Sequence, residues 1–463
     1  MKVAFINVSL RPDSKRKQLP VGLGYILTAV KREGIAFDLI DMDINCTPME
    51  ELEKILYREK YEVIAMGCIV TGYRYIKKIA EIAKKINECT IIVGNSVATS
   101  IPELLLENTL VDIAVIGEGD VTIVELLNKI LKREKIDDIK GIVFKSKENG
   151  KITYGSKRTL ISDLDTIGFP DWHIFDIEKY NNYSLVNSNM TMLEKGNMYP
   201  LNAARGCPFS CTFCYHVFKD EKYRKYSEQA VTQEIKRLYY EYNSNYISFW
   251  DELTFPNIQS VISLVEKIEE LKLPIKWEAV SRGNLFKNNH LDLIHRLRDC
   301  GCDNISFSLE NAGTEILKAM NKKMNISDFI EQSLVLQKGQ VAPLTSVVFG
   351  YPQETPQTIK QTLKVCEDCG IYPSVGFLLP LPGTPIYNWA VEEKFIEDEI
   401  SYLERIGDRQ DFHINLTKMP DDEFISLVKE GLEDLANKQG LKLASVFKTT
   451  TYQKPKYEVA SPT

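Results

Sequence analysis

Residues Tyr199–Phe218 read YPLNAARGCPFSCTFCYHVF. Cys207, Cys211 and Cys214 stand here in a CxxxCxxC spacing, directly after a short apolar run that ends in Arg205-Gly206. Three thiolates this close together on one loop can converge on one soft metal centre. They cannot all pair with each other, because three is odd and each spacing is short for a disulfide loop. An iron–sulfur cluster is the favoured centre: three ligands for four irons leave one iron open, and an open iron can hold a substrate or cofactor. The competing centre is a structural zinc ion, which wants a fourth Cys or His close by. His216 is the only neighbour of that kind, and its spacing from Cys214 is poor for the purpose.

Downstream, apolar or β-branched runs recur at Leu201–Ala204, Tyr246–Trp250, Lys276–Val280, Asn304–Leu309, Leu344–Phe349 and Ser374–Leu379. Helix-period segments separate them, among them Gln229–Tyr242, Val261–Leu271, Leu291–Arg298, Asp328–Gln337 and Gln357–Asp368. Six successive βα units predict a partial (β/α)6 barrel over residues 196–385, a fold that places catalytic groups at the carboxyl ends of its strands. The cysteine loop follows the first strand. The other strand ends carry Asp251 and Glu252 after Trp250, Arg282 after Ser281, Ser308 and Glu310, the run from Gly350 through Pro352 to Thr355, and Pro380 to Pro385. Each singly reads as a turn or a helix cap, and Thr355-Pro356 makes a good helix start. Glu310 is different: at the end of so apolar a strand a carboxylate needs a partner, and Arg282 across the barrel mouth is the expected one.

Upstream, the runs Val3–Val8, Phe37–Asp41, Val63–Cys68, Ile91–Val93 and Ile113–Ile116 alternate with helix-period segments at Leu23–Arg32, Met49–Tyr57, Tyr75–Ile86 and Val121–Leu131. This alternation predicts an α/β, Rossmann-like doubly wound domain over residues 1–140, with a parallel sheet between helices. Ligands of such sheets bind at the carboxyl ends of the strands. Those ends hold Thr71-Gly72, Gly94-Asn95-Ser96-Val97 and Gly117-Glu118-Gly119, where glycine lets backbone approach a ligand closely. No GxGxxG follows the first strand, so a nicotinamide or flavin dinucleotide is not the natural ligand. No histidine precedes His173, so no imidazole of this domain can ligate a metal complex. Residues 141–195 read as a hairpin and linker: Gly141–Phe144 and Lys151–Tyr154 flank Glu148-Asn149-Gly150, and an extended connector then packs one aromatic anchor, Trp172. Residues 386–463 read as a small helical cap, through Trp389–Ile396, Ile400–Arg405 and Phe424–Lys438, with a polar tail.

At roughly one domain per 150 residues, 463 residues suit two or three domains, and 44% hydrophobic residues suffice for sizeable cores. Lys and Arg number 57 against 64 Asp and Glu, a net charge of −7 that argues against a nucleic-acid partner. Lys15-Arg16-Lys17 reads as a solvated loop. No apolar run reaches the ~18 residues of a membrane span, and the N-terminus lacks a signal-peptide pattern, so a cytoplasmic protein with 10 reduced cysteines is expected. Cys46, Cys68 and Cys89 lie in or beside strands, and Cys300, Cys302, Cys366 and Cys369 read as buried or capping thiols.

The run Cys207-Pro-Phe-Ser-Cys211-Thr-Phe-Cys214 resembles the radical S-adenosylmethionine (radical SAM) superfamily. With the alternating N-terminal domain, the connector Leu164–Trp172 and the barrel, nearly the whole chain resembles the cobalamin-binding subgroup. Leu19–Tyr25 (LPVGLGY) is similar to the start of that subgroup's first helix, and Val115–Asp120 (VIGEGD) to its last strand-turn. The resemblance implies a 4Fe–4S cluster on Cys207, Cys211 and Cys214, with the open iron chelating the amino and carboxylate groups of S-adenosylmethionine. It implies Asp251 and Glu252 at the amino group, although Trp-Asp-Glu departs from the usual Gly-Gly-Glu. It implies Arg282 at the carboxylate, Ser308 and Glu310 at the ribose, and Gly350 to Pro352 beside the adenine. An external one-electron reductant would then drive formation of a 5′-deoxyadenosyl radical. Cobalamin would lie over Thr71, Gly72, Gly94, Asn95, Ser96, Val97, Gly117, Glu118 and Gly119; the DxHxxG motif is absent. The implied activity is methyl transfer to an unactivated carbon of a small-molecule, lipid or peptide substrate. Alternatives are cyclisation, ring contraction or oxidation with the same cofactors, a radical SAM enzyme that no longer binds cobalamin, and a zinc-stabilised binding protein. A transfer-RNA methylthiotransferase would carry further N-terminal cluster cysteines and a basic C-terminal module, which this chain lacks.

Overall fold

A computed structural model describes residues 2–12, 14, 17–146, 149–186, 197–219, 221–443 and 457–459. Lys15 and Arg16 of the basic run, Glu148 of the hairpin turn and the tail at 460–463 lie outside the described residues.

The first five apolar runs form β1 (Val3–Asn7), β2 (Asp38–Asp41), β3 (Val63–Gly67), β4 (Thr90–Gly94) and β5 (Ile113–Val115), all parallel, in the order β2-β1-β3-β4-β5. Their side chains alternate between two buried faces, which is why the runs are almost continuously apolar. Val3 and Phe5 pack toward α1 (Val21–Arg32), while Ala4 and Ile6 share a cluster with Leu52 of α2 (Met49–Glu59) and Ile76 of α3 (Tyr73–Ile86). Two short helices, α4 (Asn95–Ser100) and α5 (Pro102–Asn108), precede β5, and α6 (Gly119–Leu131) follows it. The strand order reverses between β1 and β3, where a doubly wound sheet opens its ligand crevice.

The hairpin assigned to the linker belongs to this sheet. Its strands β6 (Ile142–Lys145) and β7 (Ile152–Tyr154) extend it antiparallel from β5, because the free edge of that short strand is covered by the buried Ile142–Phe144. The connector behaves as expected: Trp172 is fully buried against Gly24, where an added methyl would stand 3.0 Å from its ring. Helix α7 (Ile177–Val186) leads on toward the barrel.

The barrel begins with β8 (Asn197–Leu201), earlier than the expected Leu201–Ala204. Pro200 is tolerated because β8 is an edge strand of its sheet. A two-residue ribbon, β9 (Ala204–Arg205) against β10 (Arg224–Lys225), opens and closes the cysteine loop, and α8 (Glu228–Tyr242) follows. Then come β11 (Ser244–Phe249), α9 (Ile258–Leu271), β12 (Lys276–Val280), α10 (Leu291–Asp299), β13 (Cys302–Ser306), α11 (Thr314–Ala319) and α12 (Ile326–Lys338). The fifth barrel strand is split at Thr345 into β14 (Ala342–Leu344) and β15 (Ser346–Phe349); α13 (Pro356–Asp368) and β16 (Ser374–Phe377) complete six parallel units.

The cap holds α14 (Pro385–Glu392), α15 (Glu399–Arg405) and α16 (Asp421–Lys438). Helix α14 starts four residues before the expected Trp389, because the Thr384 hydroxyl accepts the Tyr387 N–H and Pro385 suits the first turn. An antiparallel pair, β17 (Leu441–Leu443) and β18 (Tyr457–Val459), stands where only a polar tail was expected. Both hydrophobic clusters cross between sheet and barrel: one joins Val115 to Phe249, the other Met66 to Tyr351 and Tyr402. Ion pairs Lys77–Glu404 and Arg11–Asp408 tie the sheet to the cap. The carboxyl end of the sheet is thereby held against the cysteine loop at the barrel mouth.

Candidate active site between sheet and barrel

The cysteine loop is pinned in its middle by contacts of Ser210, Thr212 and Phe213. The Thr212 hydroxyl donates to Ala319 O at 2.8 Å and shares a hydrogen bond with the Tyr351 hydroxyl at 2.7 Å. Phe213 stands edge-on to Tyr351, and Asn321 Nδ2 donates to Ser210 O at 2.9 Å. Cys207 and Cys211 are half-buried and Cys214 is exposed. Burial raises the Cys207 thiol, with Cys211 adding to the shift and the Phe209 N–H and the Arg282 guanidinium opposing it. A bound cluster must displace that proton. Among the described residues no three His, Cys, Asp or Glu side chains close on a single ion. A cubane takes one thiolate per iron, so its ligands stand further apart than those of a zinc ion.

The strand ends correct one expectation. Glu310 is buried, but its partner is Lys322, whose Nζ lies 2.8 Å from Oε1, and not Arg282. The turn after α11 brings Lys322 under the carboxylate, while the Arg282 guanidinium lies over the Phe209 ring of the cysteine loop at 3.9 Å. Cation–π contact thus ties Arg282 to the loop between two cysteines. Asp251 is buried below the loop: Oδ1 accepts the Ala204 N–H at 3.0 Å, and burial pushes its carboxyl up to about 7. Glu252 faces the cavity and accepts the Gly206 N–H at 3.2 Å, so of the two acids it is the one open to a ligand. The Ser308 hydroxyl accepts from Ser346 at 2.8 Å. Gly350, with φ +112, donates its N–H to Glu354, which also accepts from Asn311 Nδ2 at 2.9 Å and from the Thr358 hydroxyl. Glu354 thereby fixes the loop that carries Pro352, and burial pushes its carboxyl up to about 7.

A cavity of about 810 Å³ opens between the sheet and the ends of the cysteine loop, with Asn7, Gly94 and Gly117 on one side and Tyr215, His216 and Trp250 on the other. Asn95, Ser96, Glu118 and Gly119 also line it; Thr71, Gly72 and Val97 do not. Gly72 is required by packing, since a Cβ there would lie 2.0 Å from Cys68 Sγ, and Val97 is wholly buried. At Gly22 and Gly117, by contrast, a Cβ would meet nothing within 4 Å, so both positions leave the cavity wall open. Glu118, assigned to a cofactor from its strand-end position, is engaged in ion pairs with Arg205 and Arg224. Lys17, expected in a solvated loop, is 1% exposed and pairs with Asp43 at 2.9 Å. Arg205, Arg224 and Lys322 escaped the sequence reading; the two acids of Gly117–Asp120 beside an apolar strand were the available signal that buried cations had to lie opposite.

Residues 13–127 match the family described as B12 binding domain, and residues 201–366 match the Radical SAM superfamily. An uncharacterised methyltransferase of Pyrococcus horikoshii is 28% identical over 86% of this chain and 85% of its own length. The cytidylyl-2-hydroxyethylphosphonate methyltransferase of Streptomyces wedmorensis is 24% identical over 70% of this chain and 67% of its own. An anaerobic magnesium-protoporphyrin IX monomethyl ester cyclase of Cereibacter sphaeroides is 23% identical over 83% of this chain and 62% of its own. The fold is similar to that of the radical SAM methyltransferase TsrM from Kitasatospora setae, solved with cobalamin and a [4Fe-4S] cluster, with a TM-score of 0.70 and 14% identity over 94% of this chain and 89% of that one.

Proposed function

We propose that this chain, which belongs to the cobalamin-binding branch of the radical SAM superfamily, transfers a methyl group to an unactivated carbon of its substrate. Its cofactors are a 4Fe–4S cluster, S-adenosylmethionine and cobalamin. The observation that carries the reading is the shared cavity: sheet ends that suit a corrinoid and the residues flanking the cluster cysteines line the same space. When bound, the cluster with S-adenosylmethionine supplies a 5′-deoxyadenosyl radical and the corrinoid a transferable methyl group.

The chain's own part is to hold, orient and exclude water. Cys207, Cys211 and Cys214 are assigned to the cluster. Glu252 and the backbone around Gly206 would hold the amino end of S-adenosylmethionine, with Asp251 as a buried support below them. Arg282 is assigned to the carboxylate, Ser308 and Glu310 to the ribose side, and Gly350 and Pro352 to the adenine side. Gly94, Asn95, Ser96, Gly117 and Gly119 are assigned to the corrinoid, with Tyr215, His216 and Trp250 across from them. No described helix is long and apolar enough to cross a membrane. A reducing cytoplasm keeps the cluster thiols available, an external one-electron donor is required, and a net charge of −7 suits a small-molecule, lipid or peptide substrate better than nucleic acid.

Cyclisation with the same cofactors is the second reading, favoured by the magnesium-protoporphyrin cyclase relative. Mass spectrometry of candidate substrates after turnover with methyl-labelled S-adenosylmethionine separates the two. Methylation carries the label into a product heavier by one methylene, and cyclisation leaves the product unlabelled.

A further inference from the structure

Glu118 and Asp120 follow the carboxyl end of β5, on the sheet side of the cavity. Arg205 and Arg224 are paired in register across the β9–β10 ribbon, at the start and end of the cysteine loop. All four side chains are at most 8% exposed. Glu118 Oε1 accepts from Arg205 Nη1 at 2.9 Å and from Arg224 Nη1 at 2.7 Å. Asp120 takes the Arg205 fork through both oxygens, at 2.9 and 3.0 Å. Ile161 completes the cluster: its N–H donates to Glu118 Oε2 at 2.8 Å and its carbonyl accepts from Arg224 at 2.6 Å. The ring of Tyr25 lies 4.8 Å from the Arg205 guanidinium, and that of Phe218 lies near both arginines.

Two carboxylates and two guanidiniums balance in charge, and the bidentate grip fixes direction as well as distance. Buried away from water, such a set tolerates little displacement, because separating one partner leaves an uncompensated charge. It spans the two halves of the cavity: Glu118 and Asp120 are flanked by cavity-lining glycines, and Arg205 is two residues before Cys207. We infer that Arg205, Arg224, Glu118 and Asp120 are positioning residues that couple the cysteine loop to the corrinoid crevice. A cluster that orders the loop thereby also orders the β5–α6 turn. The inference rests on the cofactor assignment above and goes beyond it.

Coupling of this kind is reciprocal and measurable without substrate. Hydroxocobalamin is titrated anaerobically into the full chain, once with the cluster reconstituted and once iron-free, with bound corrinoid read by ultrafiltration and absorbance. The reconstituted protein is expected to bind about tenfold more tightly, within the usual range of site-to-site coupling. In Arg205→Lys and Glu118→Gln the ratio is expected to fall to within about twofold of unity, a change that general destabilisation of both states would not produce. Equal affinities in the unsubstituted chain overturn the inference whether or not a variant folds, as does a ratio that persists in both variants. Failure to bind hydroxocobalamin in either state would overturn the cofactor assignment as well, a result distinct from equal, measurable affinities.

Discussion

Glu310 holds a left-handed backbone at φ +62 and gives its carboxylate to Lys322 in a pair with side chains 7% and 10% exposed. Removing one partner of such a pair leaves a buried charge alone, at a cost of about 3–5 kcal/mol. Lys322→Met should therefore lower the unfolding free energy by about 3 kcal/mol in urea titrations, and adding Glu310→Gln should restore part of it. Asp251 and Glu354 supply a pH signature. Both carboxyls are raised to about 7 by burial, so the folded chain keeps protons that the unfolded chain has released above about pH 4. Stability is then fullest below the unfolded values and declines as pH rises toward and through 7, by up to about 1.4 kcal/mol per pH unit for each group. Urea midpoints taken from pH 5 to 8 should show the decline, and Asp251→Asn with Glu354→Gln should flatten it. At this scale the CxxxCxxC loop stood out because its spacing is a local property of the sequence. The partner of Glu310 did not, because it is chosen by the turn after α11, and Arg282 was already held by the Phe209 ring.

The longer helices were legible, as α3 and α6 illustrate, each ending where expected and starting two residues earlier, because their apolar period is a local property. The short α4, α5 and α11 carry too few turns to show one. Pairing partners were not legible. The Asn149-Gly150 turn announced a hairpin, yet nothing in it said that β5 would have a free edge to receive it. Glycines at strand ends were equally ambiguous: Gly117 opens the cavity wall, whereas Gly72 makes room for Cys68 and Leu10. Gly72→Ala puts a Cβ 2.0 Å from Cys68 Sγ and 2.7 Å from Leu10 Cδ2. Overpacking of this kind should cost about 1–3 kcal/mol, seen as a lower Tm, while the reconstituted cluster keeps its absorbance because the barrel loop is untouched.

Across the whole molecule, the sheet and the barrel share both hydrophobic clusters, and buried ion pairs join β5–α6 to the cysteine loop. Calorimetry should accordingly show one cooperative unfolding transition and not separate ones for the two domains. This continuity makes a single cavity out of two folds, with the carboxyl ends of the sheet strands facing residues that flank the cysteine loop. The order of strands and helices could be read along the chain, but the facing of the two halves could not, since it rests on contacts such as Arg205–Asp120 between residues 85 apart. The most direct measurement follows methyl-labelled S-adenosylmethionine through the anaerobically reconstituted enzyme, with candidate substrates and a one-electron reductant, reading product mass and 5′-deoxyadenosine together. The predicted result is a substrate carbon that gains the labelled methyl as 5′-deoxyadenosine forms, with both signals lost in Cys211→Ala. A product that loses hydrogen without gaining label, or 5′-deoxyadenosine that still forms in Cys211→Ala, would contradict it.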